Sequence, residues 1–273
     1  LAGCAINFIA PTLTIRVLVC GDYQIFEGLG SVRFSGPVRE VLPVWFGATG
    51  DGETIDTDAI QKALDTAYYI GGVPVKLSSG TFLIDSSLYI YSGTWLVGAS
   101  IDATIVKLDA ASNCAVIKSG GDPALRSTTD PYDFDSLELT NTWDDIPVGI
   151  GLKDLCIDGD RDNQTSSHGV QLYGKRLYAH NIAIVNCGGD GWRSKAGSGT
   201  GQGTYKEMPE ADLNKILIKN CTGTCLNFEG PHDSYLKDIA AASRYSECGV
   251  SITGAGNCYI GMIHQYKIGR AHV

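Results

Sequence analysis

A repeat in the second half of the chain constrains the fold more than any other feature. After Val148 an apolar strand, a Gly-rich turn and a second short strand recur four times. The first strands are Leu155–Asp158, Ile182–Asn186, Ile216–Asn220 and Ile239–Ser243, and the second strands begin at Val170, Trp192, Leu226 and Val250. From Gly169 to Gly191, Trp192 to Leu226 and Leu226 to Val250, the steps are 22, 34 and 24 residues. Such periods indicate a solenoid, in which each coil packs only against its neighbours.

The composition supports many short strands rather than many helices. The 273 residues include 34 Gly, and 44% are hydrophobic, so a sizeable core is expected. Frequent Gly beside Ile, Val and Thr favours strands joined by tight turns. The leucine-rich repeat signature is absent, and an antiparallel sandwich would not stack equivalent residues so regularly. The sequence therefore predicts an all-β, right-handed parallel β-helix.

One segment breaks the strand pattern with a helical period. Ile60, Leu64 and Ala67 fall on one face, which predicts an amphipathic helix over about 57–69. The side chain of Asp56 or Thr57 is expected to cap its first turn, and the glycines at 71–72 to end it. We expect this helix to cap the N-terminal end of the solenoid. Further on, the polar stretch 119–147 is too long for an ordinary connection and predicts a protruding loop.

Charge and cysteine usage exclude several classes of protein. The formal net charge of −9 argues against a nucleic-acid partner, which would require a basic face. No segment is apolar enough for a membrane span. The nine cysteines include no C-x-x-C pair; Cys221 and Cys225 lack a second metal-binding pair. We therefore expect buried thiols rather than zinc ligands or a disulfide framework.

The chain divides into three parts. Residues 1–43 form a strand-rich leader, and 44–266 form the β-helix domain, which we expect to be C-terminally incomplete. The last seven residues, 267–273, continue no pattern and are interpreted as a non-native tail.

The start of the second part resembles a known family. The matching residues are Trp45-Phe46-Gly47-Ala48, Gly50-Asp51-Gly52, Thr54, Asp56-Thr57 and Ala59-Ile60-Gln61. This pattern is similar to the first coil of pectate-lyase superfamily right-handed parallel β-helix proteins, of the phage tailspike and glycoside hydrolase family 28-related type. Ile157-Asp158-Gly159 and Gly230-Pro231-His232-Asp233 are similar to later coils.

The resemblance implies a protein that binds a polysaccharide and cleaves it by hydrolysis or β-elimination. Val44 and Ile55 stand where acidic residues are common in the family. The Asn-Thr-Asp, Gly-His-Gly and Arg-Ile-Lys patterns of polygalacturonases are missing, which disfavours that activity. The resemblance also implies an extracellular or virion-associated location, and its tailspike members imply a homotrimer.

The repeat predicts which side chains face outward. Gln171, Arg193, Asn227 and Ser251 form one outward column, and Tyr173, Lys195, Glu229 and Thr253 form the next. The predicted sugar-binding residues are Tyr173, as a stacking surface, Arg193, Lys195, Asn227 and His232. A plain cross-strand ion pair between Lys195 and Glu229 is the alternative.

The best acidic cluster lies in the turn Glu229-Gly230-Pro231-His232-Asp233. Two carboxyl groups about 5–9.5 Å apart could hydrolyse a glycosidic bond, whereas elimination requires a base and a cation. Glu229 and Asp233 are the catalytic candidates, with a solvated turn as the alternative. Asp190 is a third candidate, but its register offset places it about 16 Å from Glu229 along the strand, too far for a catalytic pair.

Three acids at the end of the first repeat strand and in the turn after it raise the question of a metal. No metal site or cofactor is predicted, although Asp158, Asp160 and Asp162 could hold Ca²⁺ through oxygen atoms. Asp158 is also predicted to stack with Asn186, Asn220 and Ser243 as a structural turn residue.

The sequence leaves three functions open. The first is a polysaccharide-binding protein that also cleaves its ligand, as a glycosidase or a lyase. The second is a non-enzymatic, glycan-binding stalk, and the third is a secreted pectate-lyase-like enzyme.

Overall fold

The computed structural model describes residues 6–7, 12–16, 18, 20–28, 30–120, 123, 147–194, 210–243, 245 and 249–267. The strands of this part are β1 (Ile6–Asn7), β2 (Thr12–Ile15), β3 (Phe26–Glu27), β4 (Ser31–Phe34), β5 (Asp51–Ile55), β6 (Pro74–Lys76), β7 (Gly80–Ile84), β8 (Leu88–Ile90), β9 (Trp95–Val97), β10 (Thr104–Leu108), β11 (Ile117–Ser119), β12 (Gly151–Asp158), β13 (Val170–Gln171), β14 (Leu177–Val185), β15 (Trp192–Ser194), β16 (Ala211–Lys219), β17 (Leu226–Glu229), β18 (Tyr235–Ser243), β19 (Val250–Thr253), β20 (Tyr259–Ile260) and β21 (Ile263–Lys267). One α-helix, α1, spans Thr57–Tyr69, and short 3₁₀ turns cover Pro43–Phe46 and Arg161–Asn163.

The strands stack in parallel, coil upon coil, as a right-handed parallel β-helix. A six-stranded sheet runs in the order β19-β17-β15-β13-β11-β8, and a larger sheet contains β20-β18-β16-β14-β12-β10-β7-β5 together with β6 and β9. Register pairs such as Val170 with Trp192, Trp192 with Leu226 and Leu226 with Val250 confirm the repeat read from the sequence.

Each long strand bends sharply at one residue, so the larger sheet covers two sides of the coil. The bend residues Asp154, Asn181, Lys215 and Asp238 have φ angles of 54°, 55°, 56° and 49°. This left-handed conformation is rare outside Gly, Asn and Asp, and it turns the backbone without a loop. The structure places Lys at one of these positions, where a short polar side chain is usual.

The inward residues of all three sides form one continuous apolar core. Val170, Trp192 and Leu226 are fully buried in successive coils of the six-stranded sheet, and Leu152, Ala179 and Leu213 are fully buried in the larger sheet. Burial of this kind is the main favourable contribution to folding, and here it is repeated at each coil.

Helix α1 has the predicted bounds, but the predicted capping contact is wrong. The carboxylate of Asp56 accepts hydrogen bonds from the N–H groups of Thr49, at 2.7 Å, and Gly50, at 2.9 Å, instead of from the helix. The hydroxyl of Thr57 donates to Asp85 at 2.7 Å. The conspicuous acidic residue before the helix therefore fixes the Gly-rich loop. That α1 covers the end of the solenoid stays a prediction.

The leader pairs in the same manner as the coils. Strand β1 is parallel to β3 with Ile6 opposite Phe26, and β2 is parallel to β4 with Thr12 opposite Ser31. Its buried side chains, including Phe26, belong to the same apolar cluster as the β-helix core. The division at residue 43 and the non-native nature of the tail stay predictions; residues 268–273 of that tail lie outside the described part.

Candidate functional site

The outward side of the six-stranded sheet, called the front face below, carries one polar residue per coil at the same register. This front column consists of Tyr89, Lys118, Gln171, Arg193, Asn227 and Ser251. The four members predicted from the sequence are confirmed as neighbours. Adjacent members lie about 4.8 Å apart, the spacing of paired strands. Apart from Gln171, which is buried, the column offers donors and acceptors along the solenoid axis, with positive charge at Lys118 and Arg193.

Asp190 is the centre of the best-defined polar cluster on this face. Its carboxylate accepts hydrogen bonds from the Thr224 N–H, at 2.7 Å, and the Asn227 side-chain amide, at 3.0 Å. The Nε of Arg193 lies 4.0 Å from the same carboxylate, which is only 14% exposed. A Cβ at Gly223 would lie 2.4 Å from Asp190 Oδ1, so glycine there makes room for the carboxyl group. The cluster fixes the Asn227 amide by a hydrogen bond and places the Arg193 side chain beside the carboxylate in the front column.

His168 lies next to Asp190 in the preceding coil. The backbone N–H of Asp190 donates to Nδ1 of His168 at 2.9 Å, so in the neutral ring Nε2 carries the proton. A Cβ at Gly189 would lie 2.7 Å from the His168 ring, which therefore packs directly on the glycine backbone. His168 is thus fixed as a hydrogen-bond donor through Nε2 at the edge of the front face.

The end of β17 and the turn after it contain a second imidazole and the two acids that the sequence predicted as catalytic candidates. Nδ1 of His232 lies 3.0 Å from Oδ2 of Asp233, and both side chains are partly exposed. An Asp that accepts the Nδ1 proton leaves the Nε2 lone pair of a neutral His able to accept a proton. Glu229 is exposed, two residues beyond Asn227 on the same side of β17. The turn therefore combines an oriented imidazole with an exposed carboxylate beside the front column.

The other predicted site residues have different outcomes. Tyr173 is only 1% exposed, so its ring cannot stack on a sugar, and that interpretation is wrong. Its backbone N–H donates a hydrogen bond to the Ser119 hydroxyl, at 2.6 Å, inside the structure. Lys195 lies outside the described residues. Asp190 reaches Asn227, one outward position from Glu229, or about 7 Å along the strand; the site is therefore more compact than the register offset suggested.

The candidate calcium ligands are already engaged with protein groups. Asp158 accepts hydrogen bonds from the Asp160 N–H, at 2.9 Å, and the Asn186 amide, at 3.3 Å. Asp160 lies 3.2 Å from Lys107, and Asp162 lies 2.8 Å from Arg161. Within the described ranges, no group of three or more His, Cys, Asp or Glu side chains has the arrangement of a metal site.

The predicted polar stack along this corner exists, with one correction to its register. The amide of Asn186 donates to Asp158 and the amide of Asn220 donates to Asn186, at 3.3 and 3.4 Å. However, Asp158 pairs with Val185 and so precedes the equivalent position by one residue. Ser243 donates to the carbonyl of Cys221 at 2.7 Å, one residue beyond Asn220. These contacts make Asp158 a structural residue.

Sequence reasoning missed the part of the site that lies nearest the helix. A groove between the start of α1 and the front face is lined by Asp58, Ser87, Tyr89 and Lys118, among others. The repeat contained the signal for His168. His168, Asp190 and Thr224 each lie two residues before the first residue of an aligned strand, so they occupy equivalent positions in successive coils. The early coils before residue 148 lack such a visible repeat.

Comparison with known proteins defines the class. A family profile described as rhamnogalacturonase A/epimerase, pectate lyase-like, matches residues 44–260. The chain therefore belongs to this family of pectate lyase-like parallel β-helix proteins, as the resemblance implied.

Three individual proteins show the range of the similarity. The chain is 37% identical over 125 residues to alginate lyase 7 of Azotobacter vinelandii, covering 43% of this chain and 12% of the lyase. It is 31% identical over 155 residues to mannuronan C5-epimerase AlgE3 of the same organism, covering 54% of this chain and 7% of the epimerase. The fold matches tailspike protein 2 of Escherichia coli O157:H7 bacteriophage CAB120 with a TM-score of 0.53 and 13% identity, covering 84% of this chain and 27% of the tailspike chain. The chain thus spans only a small part of each.

Proposed function

We propose that this protein binds an acidic polysaccharide along the front face and acts on a uronic acid unit by removing its C5 proton. The cationic members of the front column, Lys118 and Arg193, support an acidic ligand. The named activities of two relatives, an alginate lyase and a mannuronan C5-epimerase, support C5 chemistry. Removal of this proton is the step that elimination and C5 epimerisation share.

The observation that carries the proposal is the position of Arg193 in the front column, with its Nε 4.0 Å from the Asp190 carboxylate. Its guanidinium group lies beside Asp190, which is itself held by Thr224 and Asn227. A cation that is held in place before the substrate binds can neutralise the uronate carboxylate as charge develops at C5. Because the group needs no reorganisation, the stabilisation is larger than in water. Arg193 is thus the proposed electrostatic catalyst.

His232 is the proposed base, and Asp233 orients it. The Asp233 carboxylate accepts the Nδ1 proton, so the Nε2 lone pair can take the C5 proton. Collapse of the resulting carbanion expels the C4 oxygen in a lyase, whereas return of a proton to the opposite face inverts C5 in an epimerase. Glu229, exposed on the same strand end, and the Nε2–H of His168 are the candidate proton donors.

A turnover assay on a defined uronan tests this reaction. Polymannuronate is incubated in D₂O with the wild-type chain and with the variants His232→Gln and Arg193→Gln. A Lys219→Gln variant serves as the control, because Lys219 is exposed on another side of the β-helix. New ultraviolet absorbance from a C4–C5 double bond indicates elimination, and deuterium at C5 without absorbance indicates epimerisation.

Each site variant should lower the rate about 100-fold or more, the usual contribution of an acid–base or electrostatic group. The control should keep the wild-type rate. New reducing ends without absorbance or deuterium would show hydrolysis and contradict the proposal. Binding without any turnover would favour the non-enzymatic glycan-binding alternative.

The assembly and location of the protein stay proposals. Among the described residues, the single helix is too short and too polar to cross a membrane. We propose an extracellular or virion-associated protein, supported by its polysaccharide-acting relatives and its tailspike-like fold. A homotrimer rests on the tailspike resemblance and would be tested by the sedimentation of the purified chain.

A further inference from the structure

The second side of the β-helix carries a line of aromatic residues that the proposed reaction does not use. This side, called the flank face below, is the outward surface of β6, β9, β20 and the first halves of β12, β14, β16 and β18. One of its register columns consists of Pro74, Trp95, Gly151, Tyr178, Asp212, Tyr235 and Tyr259. Four of these seven residues are aromatic, and none of the four rings points into the core.

Two of the rings share the space above a glycine. A Cβ at Gly151 would lie 2.0 Å from the Trp95 indole, so the ring lies directly over the sheet backbone and only glycine fits beneath it. The Tyr178 ring stacks against Trp95 with centroids 5.3 Å apart and planes 21° apart. The two partly exposed rings form a compact apolar platform on an otherwise polar surface.

Two more rings continue the line toward the C-terminal coils. Tyr235 and Tyr259 are 51% and 57% exposed, and their centroids lie 6.2 Å apart. From Trp95 to Tyr259 the column crosses five coil steps, or about 24 Å at about 4.8 Å per step. A ligand that contacts both pairs must therefore be extended, which fits a polymer and not a single small molecule.

Polar groups accompany the rings along their whole length. The neighbouring column of the flank face consists of Lys76, Val97, Lys153, His180, Asn214 and Lys237. Its bases face nearby acids: Lys76 lies 3.7 Å from Glu40, Lys153 lies 3.7 Å from Asp154, and His180 lies 3.8 Å from Asp212. The facing atoms of His180 and Asp212 are buried, so this pair is internal. The two exposed lysine pairs contribute little on their own, so a ligand can replace them at low cost.

We infer that the flank face is a second binding surface for a polysaccharide, apart from the front face. Aromatic rings pack against the C–H faces of pyranose rings, while the adjacent ammonium, imidazole and amide groups bind the hydroxyl and carboxylate groups at the rim. A large obligate protein interface would be more apolar than this mixture. The choice of polymannuronate as probe rests on the proposed function, whereas the surface itself does not.

Binding of long and short chains to matched variants tests the inference. Tyr235→Ser and Tyr178→Ser are compared with Tyr245→Ser, because Tyr245 is similarly exposed, at 48%, but lies over Arg161 in a different region. The two flank variants should weaken polymannuronate binding roughly 3- to 10-fold, the range expected for one lost ring contact. Turnover of a short oligomer at the front face should stay at the wild-type level. In a titration with polymer, part of the indole fluorescence change should disappear in Trp95→Phe.

Several results separate this inference from the proposed reaction. Polymer binding that depends on Tyr235 in a protein without turnover would keep the flank surface and reject the C5 chemistry. Equal polymer binding by the wild type and Tyr235→Ser would overturn the flank surface, whatever the activity. A change in sedimentation with Tyr235→Ser and no loss of polymer binding would also overturn it, since a second copy of the chain would then be the occupant. If Tyr178→Ser does not fold, the exposed Tyr235 carries the test alone.

Discussion

Replacement of Asp190 should show how much the polar cluster on the front face contributes to the free energy of unfolding. In Asp190→Ala the Thr224 N–H and the Asn227 amide lose their acceptor, and Arg193 loses the carboxylate beside it. A hydrogen bond to a charged group contributes about 1.5–3 kcal/mol, and water can replace part of it at this partly exposed site. We expect Asp190→Ala to lower the free energy of unfolding by about 2–4 kcal/mol. Asp190→Asn keeps one acceptor oxygen and should cost about half as much.

Urea unfolding followed by tryptophan fluorescence is the appropriate assay, because Trp192 is buried two residues from the substitution. Asp162→Ala is the control; Asp162 pairs with Arg161 but is 83% exposed, and its loss should change stability by less than about 0.5 kcal/mol. A cost for Asp190→Ala as small as that of the control would refute the idea that the carboxylate joins two coils. The fixed position of Arg193, and with it the main support for the proposed chemistry, would then fail as well.

Three further predictions concern groups outside the front face. Burial raises the pKa of Cys156 to about 12, and contact with a neighbouring thiol raises the pKa values of Cys221 and Cys225. All three thiols should therefore resist iodoacetamide at pH 8 in the native protein and react after unfolding. Mass spectrometry of the alkylated protein measures this. Hydrogen bonds from backbone N–H groups lower the pKa of Asp51 to about 2. The stability that this carboxylate contributes should therefore be present above pH 4 and lost as the pH falls toward 2. The Asp51→Asn variant should flatten that part of the acid unfolding curve. Trp192→Ala should cost about 3–5 kcal/mol in urea unfolding, because it empties a fully buried site, whereas Trp192→Phe should cost less.

The fold could be predicted because its information is local and repeated. An inward apolar residue at every second strand position, with a Gly-rich turn between strands, specifies one coil, and the same signal appears again 22 to 34 residues later. The register of Gln171, Arg193, Asn227 and Ser251 followed directly from this repeat. Helix α1 could be predicted equally well, because the period of its apolar residues differs from that of the neighbouring strands.

The contacts within the site could not be predicted in the same way. The alternation of side chains along the strand predicts that Tyr173 faces outward, yet the structure buries it. Alternation describes only the strand itself and not the segments that pack over it. The register counts backbone steps and predicts that Asp190 is remote from Glu229, whereas the Asp190 side chain extends along the face to Asn227. The sequence predicts Asp56 as a helix cap, but its carboxylate accepts hydrogen bonds from two N–H groups of the preceding loop. In each case a tertiary contact determines where the side chain lies, and that contact cannot be derived from a single sequence.

The positions of the charged residues favour proton abstraction over hydrolysis on the front face. Hydrolysis requires two carboxyl groups on opposite sides of one bond. Here the carboxylate with the most contacts, Asp190, accepts hydrogen bonds from Thr224 and Asn227 and lies against Arg193, an arrangement that positions a cation and does not supply an acid. Asp233 likewise lies against His232, so it orients an imidazole. Of the three acids that the sequence suggested, Glu229 is left as a candidate proton donor, and together with the His232 imidazole and the Arg193 guanidinium it can supply the acid, the base and the cation that the proposed proton transfer requires.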